Sequence, residues 1–193
     1  MGLTRYLRTT ISHDDPLQRP ALTSRLSPDH LWLGMSAGAL AKRNLGIAEI
    51  KVGDRTESFP LVAHGFQLLM DSWPSFPNDP AVLTGIGKAL LAAGHGAETA
   101  AVFQQAIQIE PENALNYLHA GLAWKAARRN TEAIQSLEKA IQLDPLLEQP
   151  YRELADVYSD ARDLGMIRQT YERFLKAFPK SIRAQSAVLN SNR

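Results

Sequence analysis

The sequence predicts an all-α fold made of stacked helix-turn-helix repeats, and two observations predict it. Prolines recur at a constant interval of 34 residues, at Pro77, Pro111, Pro145 and Pro179. Between these prolines, apolar residues recur every three or four positions, which is the spacing of one face of an α-helix. Because about 34 residues make one helix-turn-helix unit, each interval is expected to fold as two short helices.

The repeats can be aligned by setting the proline at the thirty-second place of each unit. Three regular repeats then occupy residues 80–113, 114–147 and 148–181. Places 4, 7, 8 and 11 form the buried face of a first helix, and places 20, 24 and 27 that of a second. The large residues at places 4 and 24 are Leu83, Tyr117, Tyr151, Phe103, Leu137 and Tyr171. They are expected to fill the space between neighbouring helix pairs, so that no repeat buries its core alone.

Short polar residues precede the first helices, where their side chains can accept hydrogen bonds from free backbone amides. The residues at this place are Asp79, Asn113 and Ser181. Pro80 follows at the first helical position, where proline is tolerated. Asn130 is predicted to cap the second helix of the second repeat. Leu147 takes the capping place of the third repeat, which is therefore expected to begin less regularly.

Residues 28–79 are predicted to form a divergent N-terminal repeat with a long inter-helix loop. Gly53 and Asp54 resemble the turn places of the other repeats, and the second helix is predicted to begin only near Leu61 and to end before Pro77. In an alternative interpretation, residues 47–61 form a β-hairpin about the same Gly-Asp turn, since the flanking segments partly alternate between apolar and polar residues.

The two ends of the chain lie outside the repeats. Residues 1–27 show no period and contain Pro16 and Pro20, so they are predicted to be an irregular N-terminal tail or strap. Residues 182–193 are predicted to form a C-terminal capping helix, which would cover the apolar face left exposed by the last repeat.

These residues at these places resemble the tetratricopeptide repeat. The resemblance covers residues 80–181 and implies a right-handed superhelical solenoid that acts as a non-catalytic protein-protein interaction scaffold. It also implies that the first helices line a concave groove through places 2, 5, 6, 9, 12 and 13. The predicted groove residues are Thr84, Lys88, Leu115, Leu118, His119, Leu122, Lys125, Arg152, Glu153 and Asp156.

The predicted groove combines an apolar stripe with separated charges. Leu118 and Leu122 follow Leu115 by three and seven residues, so the three leucines share one helical face. The two groove lysines are expected on one side of this stripe, and the acidic residues of the third repeat on the other. This arrangement suits an amphipathic helix or an extended peptide of a partner protein. In an alternative interpretation, residues 1–27 or the terminal helix of the same chain fill the groove.

One ligand mode of the resembled family is excluded by the residues present. Its carboxylate clamp grips the acidic C-terminus of a chaperone through lysine, asparagine and arginine side chains. The corresponding places here hold Thr84, Lys88, His119, Gln149 and Glu153. None of these residues is the one that the clamp has at that place, since Lys88 stands where the clamp has asparagine. Glu153 would also repel a carboxylate, so a chaperone tail is not the expected ligand.

Composition argues against several function classes. Lys and Arg number 21 against 20 Asp and Glu, and a net charge of +1 favours neither nucleic acid nor a membrane surface as partner. Cysteine is absent, which excludes disulfides, thiol catalysis and cysteine-ligated metals. The first thirty residues are polar and contain no apolar signal segment, so a cytoplasmic location is expected.

No catalytic, metal or cofactor site is expected. His13, Asp14 and Asp15 could ligate a metal, but adjacent residues in an unperiodic tail cannot hold a coordination geometry alone. Glu153 and Asp156 share a helical face with Asp160, and a solvated acidic face explains them. The sequence contains no Gly-rich phosphate loop after a strand and no nucleophile elbow, so the chain is expected not to be an enzyme.

Two other functions stay open at the level of sequence. Residues 9–20 are weakly similar to a segment of large bacterial multi-haem cytochromes, although no haem-attachment cysteine is present, so the chain could be an accessory or assembly domain of a larger enzyme or cytochrome-type complex. Alternatively, it could be a structural repeat protein that forms a homo-oligomer through its end repeats.

Overall fold

The protein is described by a computed structural model that covers residues 37–181 together with Gln185 and Ser186. These residues form α-helices, one short 3-10 helix at Trp73–Ser75 and turns, without a β-strand. The helices are α1 (Ala37–Thr56), α2 (Phe59–Ser72), α3 (Pro80–Ala92), α4 (Gly96–Ile109), α5 (Ala114–Ala126), α6 (Asn130–Leu143), α7 (Glu148–Asp160) and α8 (Leu164–Ala177). The predicted all-α fold class is confirmed.

The long loop and the hairpin predicted between residues 47 and 61 are both wrong. Helix α1 continues to Thr56 and α2 begins at Phe59, so only Glu57 and Ser58 connect them. Gly53 lies inside α1, at a point where α2 approaches closely. A Cβ there would lie 2.7 Å from Val62 Cγ2 and 3.0 Å from Val62 N, so no larger residue fits. This glycine therefore permits close helix packing and does not form a turn.

The chain divides into two compact units, residues 1–94 and residues 95–193, and each is described by itself. In unit 1, α1 packs along α2, and α3 packs on both. Gly46 and Gly65 face each other where α1 and α2 cross, since a Cβ on either would lie 2.9 Å from the carbonyl oxygen of the other. Phe66 and Leu69 of α2 are buried in the core of this unit.

Unit 2 stacks α4 to α8 in chain order, and α5 also contacts α7 directly. Its core contains Leu137, Leu154 and Phe174, none of which is accessible to solvent. Tyr151 stacks on Phe174 with ring centres 5.5 Å apart, and Phe178 meets the Phe174 ring edge to face at 5.2 Å. Each such large side chain contributes roughly 1.5–3 kcal/mol of burial energy, so packing between repeats stabilises this unit.

The helix starts agree in part with the predicted caps. The Asp79 carboxylate accepts from the amides of Ala81 and Val82, and the Asn113 side chain accepts from Leu115 N. Leu147 makes no side-chain cap. The predicted Asn130 cap is wrong, because Asn130 is already the first residue of α6 and Arg129 precedes it.

The turns after the first helices repeat the same backbone geometry. Gly94, Arg128 and Arg162 are 34 residues apart, and all three have a positive φ, at 81°, 61° and 58°. At the latter two, the residue that follows the positive-φ residue donates back to the last turn of the helix, as in the hydrogen bond of 2.9 Å from Arg129 N to Trp124 O. The proline period is therefore matched by a period in the backbone.

Several predicted segments lie outside the described residues. These are the tail of residues 1–27, the start of the divergent repeat, and most of the capping helix of residues 182–193. Within the last segment, Gln185 and Ser186 are helical.

Candidate partner-binding surface

The predicted groove residues lie on first helices in both units. Thr84 and Lys88 are half-buried on α3 of unit 1. In unit 2, α5 carries Leu115, Leu118, His119, Leu122 and Lys125, and α7 carries Arg152, Glu153 and Asp156. The structure brings the α5 and α7 groups together, as the contacts below show.

The predicted leucine stripe is wrong at Leu118. Its side chain is only 2% exposed and belongs to the same buried cluster as Leu154 and Val157 of α7. Leu122 is half-buried against this cluster, whereas Leu115 is 49% exposed. Because α5 contacts α7 directly, the middle of the stripe is covered by the neighbouring first helix and only its start reaches solvent.

The expected separation of charges is also wrong within unit 2. Lys125 Nζ lies 2.8 Å from Glu153 Oε2 and 3.1 Å from Asp156 Oδ2, so the lysine of α5 is neutralised by both carboxylates of α7. Burial disfavours the charged form of Lys125, but its hydrogen bonds to Glu153 and Asp156 outweigh burial, and the pKa of Lys125 is raised above its ordinary value. The cluster holds a fixed ammonium between two first helices.

This raised pKa predicts a loss of stability at alkaline pH. A group whose pKa is raised by folding stabilises the protein fully below its unfolded pKa, about 10.4 for lysine, and loses that contribution as the pH rises through the folded pKa. The difference in unfolding free energy between the wild type and Lys125→Met should therefore be constant at neutral pH and shrink above pH 10.4 or so. Urea unfolding at a series of pH values measures it.

A double-mutant control isolates the cluster. In a Glu153→Gln, Asp156→Asn background, Lys125→Met should show a smaller pH dependence, because the carboxylates that raise the lysine pKa are gone. A difference that stays constant through the alkaline range in the wild-type background would contradict this interpretation.

His119 and Arg152 are half-buried on the same two helices. The His119 ring stacks on Phe103 of α4, with ring centres 5.0 Å apart. The Nε atom of Arg152 is buried without a hydrogen-bond partner among the described residues. The His119 ring is thus partly covered by unit 2 itself. Leu115 is the most exposed apolar residue of the predicted groove in this unit.

Unit 1 contains a cavity of about 300 Å³ between the end of α1, the start of α2 and the end of α3. Its buried lining residues are Ile50, Gly53 and Val62, and its exposed apolar ones are Phe59 and Ala92. Its charged lining residues are Asp54, Glu57 and Lys88, and Lys88 Nζ lies 2.8 Å from Asp54 Oδ2. Lys88 was predicted as a groove residue, but the sequence did not indicate this cavity.

Two of the missed lining residues, Glu57 and Phe59, come from the segment that was predicted to be a loop. One signal was present: Phe59 is followed by Pro60, and proline near a helix start is typical of the first turn. That signal indicates where α2 starts. It does not indicate a cavity, because the cavity depends on how three helices pack against each other.

The described residues contain no group of three or more His, Asp or Glu side chains that could hold a metal ion. The His13, Asp14 and Asp15 triplet lies outside them. Of the helices described, none has the length and apolar character needed to cross a membrane.

No family model and no curated protein matches the chain. Solved structures do match. The first TPR of Spaghetti (RPAP3), bound to the HSP90 peptide SRMEEVD, aligns with a TM-score of 0.51 at 17% identity, over 58% of this chain and 90% of that one. The Sgt2 TPR domain of Aspergillus fumigatus aligns with a TM-score of 0.52 at 21% identity, over 59% and 77%.

The chain has the tetratricopeptide-repeat fold. A crystal structure of the MamA protein extends the likeness, with a TM-score of 0.63 at 18% identity over 78% of this chain and 80% of MamA. The tetratricopeptide-repeat fold predicted from the 34-residue proline period is therefore confirmed. At these identities the likeness concerns the fold.

Proposed function

We propose that this chain is a non-catalytic protein-interaction scaffold that binds a helix or an extended peptide of a partner on the faces of its first helices. The observation that carries the proposal is the exposure of Leu115 on a first helix of a tetratricopeptide-repeat fold. A large apolar side chain left half in water on a first helix is available for a peptide partner to cover.

The fixed charges carried by α5 and α7 suit a partner with polar groups of both signs. Lys125, Glu153 and Asp156 form a closed ion-pair cluster across α5 and α7, so a partner meets a lysine already neutralised and not a free cation. An acidic peptide such as the HSP90 peptide SRMEEVD, to which the first TPR of Spaghetti is bound, would bring its carboxylates towards Glu153 and be repelled. The proposal therefore excludes a chaperone-tail ligand. Separately, we propose a cytoplasmic location, which is the expectation from the polar first thirty residues.

A selection experiment tests the proposal. A random peptide display library is selected on the immobilised full chain, and enriched peptides are then measured against two variants. Leu115→Glu should weaken binding by about tenfold, because an interface anchor typically contributes more than 1 kcal/mol. Leu146→Glu is the matched control, since Leu146 is 72% exposed but lies in the turn between α6 and α7.

The outcomes separate the proposal from non-specific binding. If both variants weaken binding equally, the peptides recognise surface hydrophobicity in general. If no peptide is enriched, the chain does not act as a peptide-binding scaffold. Either result would contradict the proposal.

Self-association is a second candidate, favoured by one face of α1. Ala41, Leu45, Ala48 and Val52 are exposed at a spacing of four, three and four residues, which forms a continuous apolar stripe along the helix. A second copy of the chain could cover such a stripe. Light scattering of the full chain distinguishes the two functions, because self-association requires a dimer at micromolar concentration and the scaffold function does not.

A further inference from the structure

The cavity of unit 1 has the size and lining of a subsite for one large apolar side chain. Its volume of about 300 Å³ lies at the lower end of the range for ligand pockets. Ile50 and Val62 are buried at 2% and 5% exposure, so the cavity reaches the apolar core of the unit. The buried part of its lining, Ile50, Gly53 and Val62, is apolar, so an apolar guest is favoured there.

An exposed aromatic ring extends the cavity towards solvent. Phe59 is the first residue of α2, lines the cavity and is 59% exposed, which is unusual for a phenylalanine in a soluble fold. A guest side chain in the cavity would cover part of this ring. Aromatic residues beside a pocket are typical of anchor sites in protein interfaces.

The charges that line the cavity give it a net negative sign. Lys88 is neutralised by Asp54 at 2.8 Å. Glu57 is exposed, and its carboxylate makes no ion pair or hydrogen bond with any described residue. Two carboxylates and one ammonium leave one negative charge beside an apolar opening. A guest whose apolar side chain is followed closely by a cation satisfies both features.

We propose that this cavity binds the anchor of a partner peptide, namely a bulky aliphatic or aromatic side chain with a lysine or arginine within one helical turn that pairs with Glu57. This inference rests on the proposed scaffold function and specifies the partner chemistry. It differs from the predicted groove stripe, because the anchor enters between α1, α2 and α3 and not along α5.

Filling the cavity tests the proposal without disturbing the core. Ala92 is the exposed last residue of α3 and lines the cavity, so Ala92→Phe places a ring at its mouth. Ala126 holds the same place in the next repeat, is exposed and ends α5, and Ala126→Phe is the matched control. Peptides enriched on the full chain should bind Ala92→Phe about tenfold more weakly and Ala126→Phe unchanged.

Charge reversal tests the second half of the proposal. Glu57→Lys changes the net charge of the lining from −1 to +1 and should weaken the same peptides about fivefold. Replacing the basic residue of the peptide by glutamate should restore binding to Glu57→Lys and not to the wild type. Such a reciprocal rescue does not arise from a folding defect in the variant.

The outcomes distinguish this inference from the function on which it rests. Peptides weakened by Leu115→Glu but not by Ala92→Phe would overturn the cavity and leave the scaffold intact. Enriched peptides without a basic residue near the anchor, or without charge rescue, would overturn the role of Glu57. Failure to enrich any peptide would overturn both the inference and the proposed function.

Discussion

Leu118→Glu is expected to destabilise unit 2 by at least about 3 kcal/mol. Removing a buried leucine side chain alone typically costs about 2–5 kcal/mol, and the glutamate must also place a carboxylate in an apolar site. Leu118 is 2% exposed and packs in the cluster that contains Leu154 and Val157, so the charged group has no route to water without separating α5 from α7. Urea unfolding followed by circular dichroism measures the change.

Leu115→Glu is the matched control on the same helix. Leu115 is 49% exposed, so its substitution should change the unfolding free energy by less than about 0.5 kcal/mol, as is usual for surface positions. Equal effects of the two substitutions would show that Leu118 is exposed after all. The contrast also decides which leucine is useful for binding studies, because a variant that unfolds loses every partner.

Gly96→Ala is expected to destabilise unit 2 by roughly 2–3 kcal/mol, near the upper end of the usual range for overpacking. A Cβ at Gly96 would lie 2.6 Å from Ala127 N and 2.8 Å from Ala123 O, both backbone atoms of the α5 end. Backbone cannot rotate away as a side-chain tip can, so α4 and α5 would have to move apart. Thermal unfolding of the variant measures the cost.

Gly165→Ala controls for the helix propensity of alanine. Gly165 lies in the first turn of α8, and a Cβ there would meet only Asp163 Oδ1 at 3.5 Å, an ordinary contact. This substitution should be neutral or stabilise by up to about 1 kcal/mol, because glycine is a poor helix former. A Gly96→Ala variant as stable as Gly165→Ala would contradict the close approach of α4 to α5.

The sequence predicted the fold from features that depend on local chemistry. The apolar spacing depends only on neighbouring residues, so the sequence could predict α-helices, and α3 to α8 are helices. Asp79 and Asn113 were predicted as caps because capping is also local. The interpretation failed at Gly53, where a glycine permits packing of α2, a contact that spacing along one chain does not show.

The candidate site was predicted less well because it depends on distances between helices. The sequence places Leu118 on the same helical face as Leu115, but its burial follows from how closely α7 packs on α5. Lys125 was expected apart from Glu153, although 2.8 Å separates them. The cavity of unit 1 is formed by residues as distant as Ile50 and Ala92, which no period connects.

The most direct test of the scaffold function is hydrogen exchange of the full chain with and without a peptide enriched by display selection. The account predicts slower amide exchange in the first helices α1, α3, α5 or α7 and at the start of α2, with little change elsewhere in the second helices. Protection confined to α4, α6 and α8, or no change in any helix at saturating peptide, would contradict it.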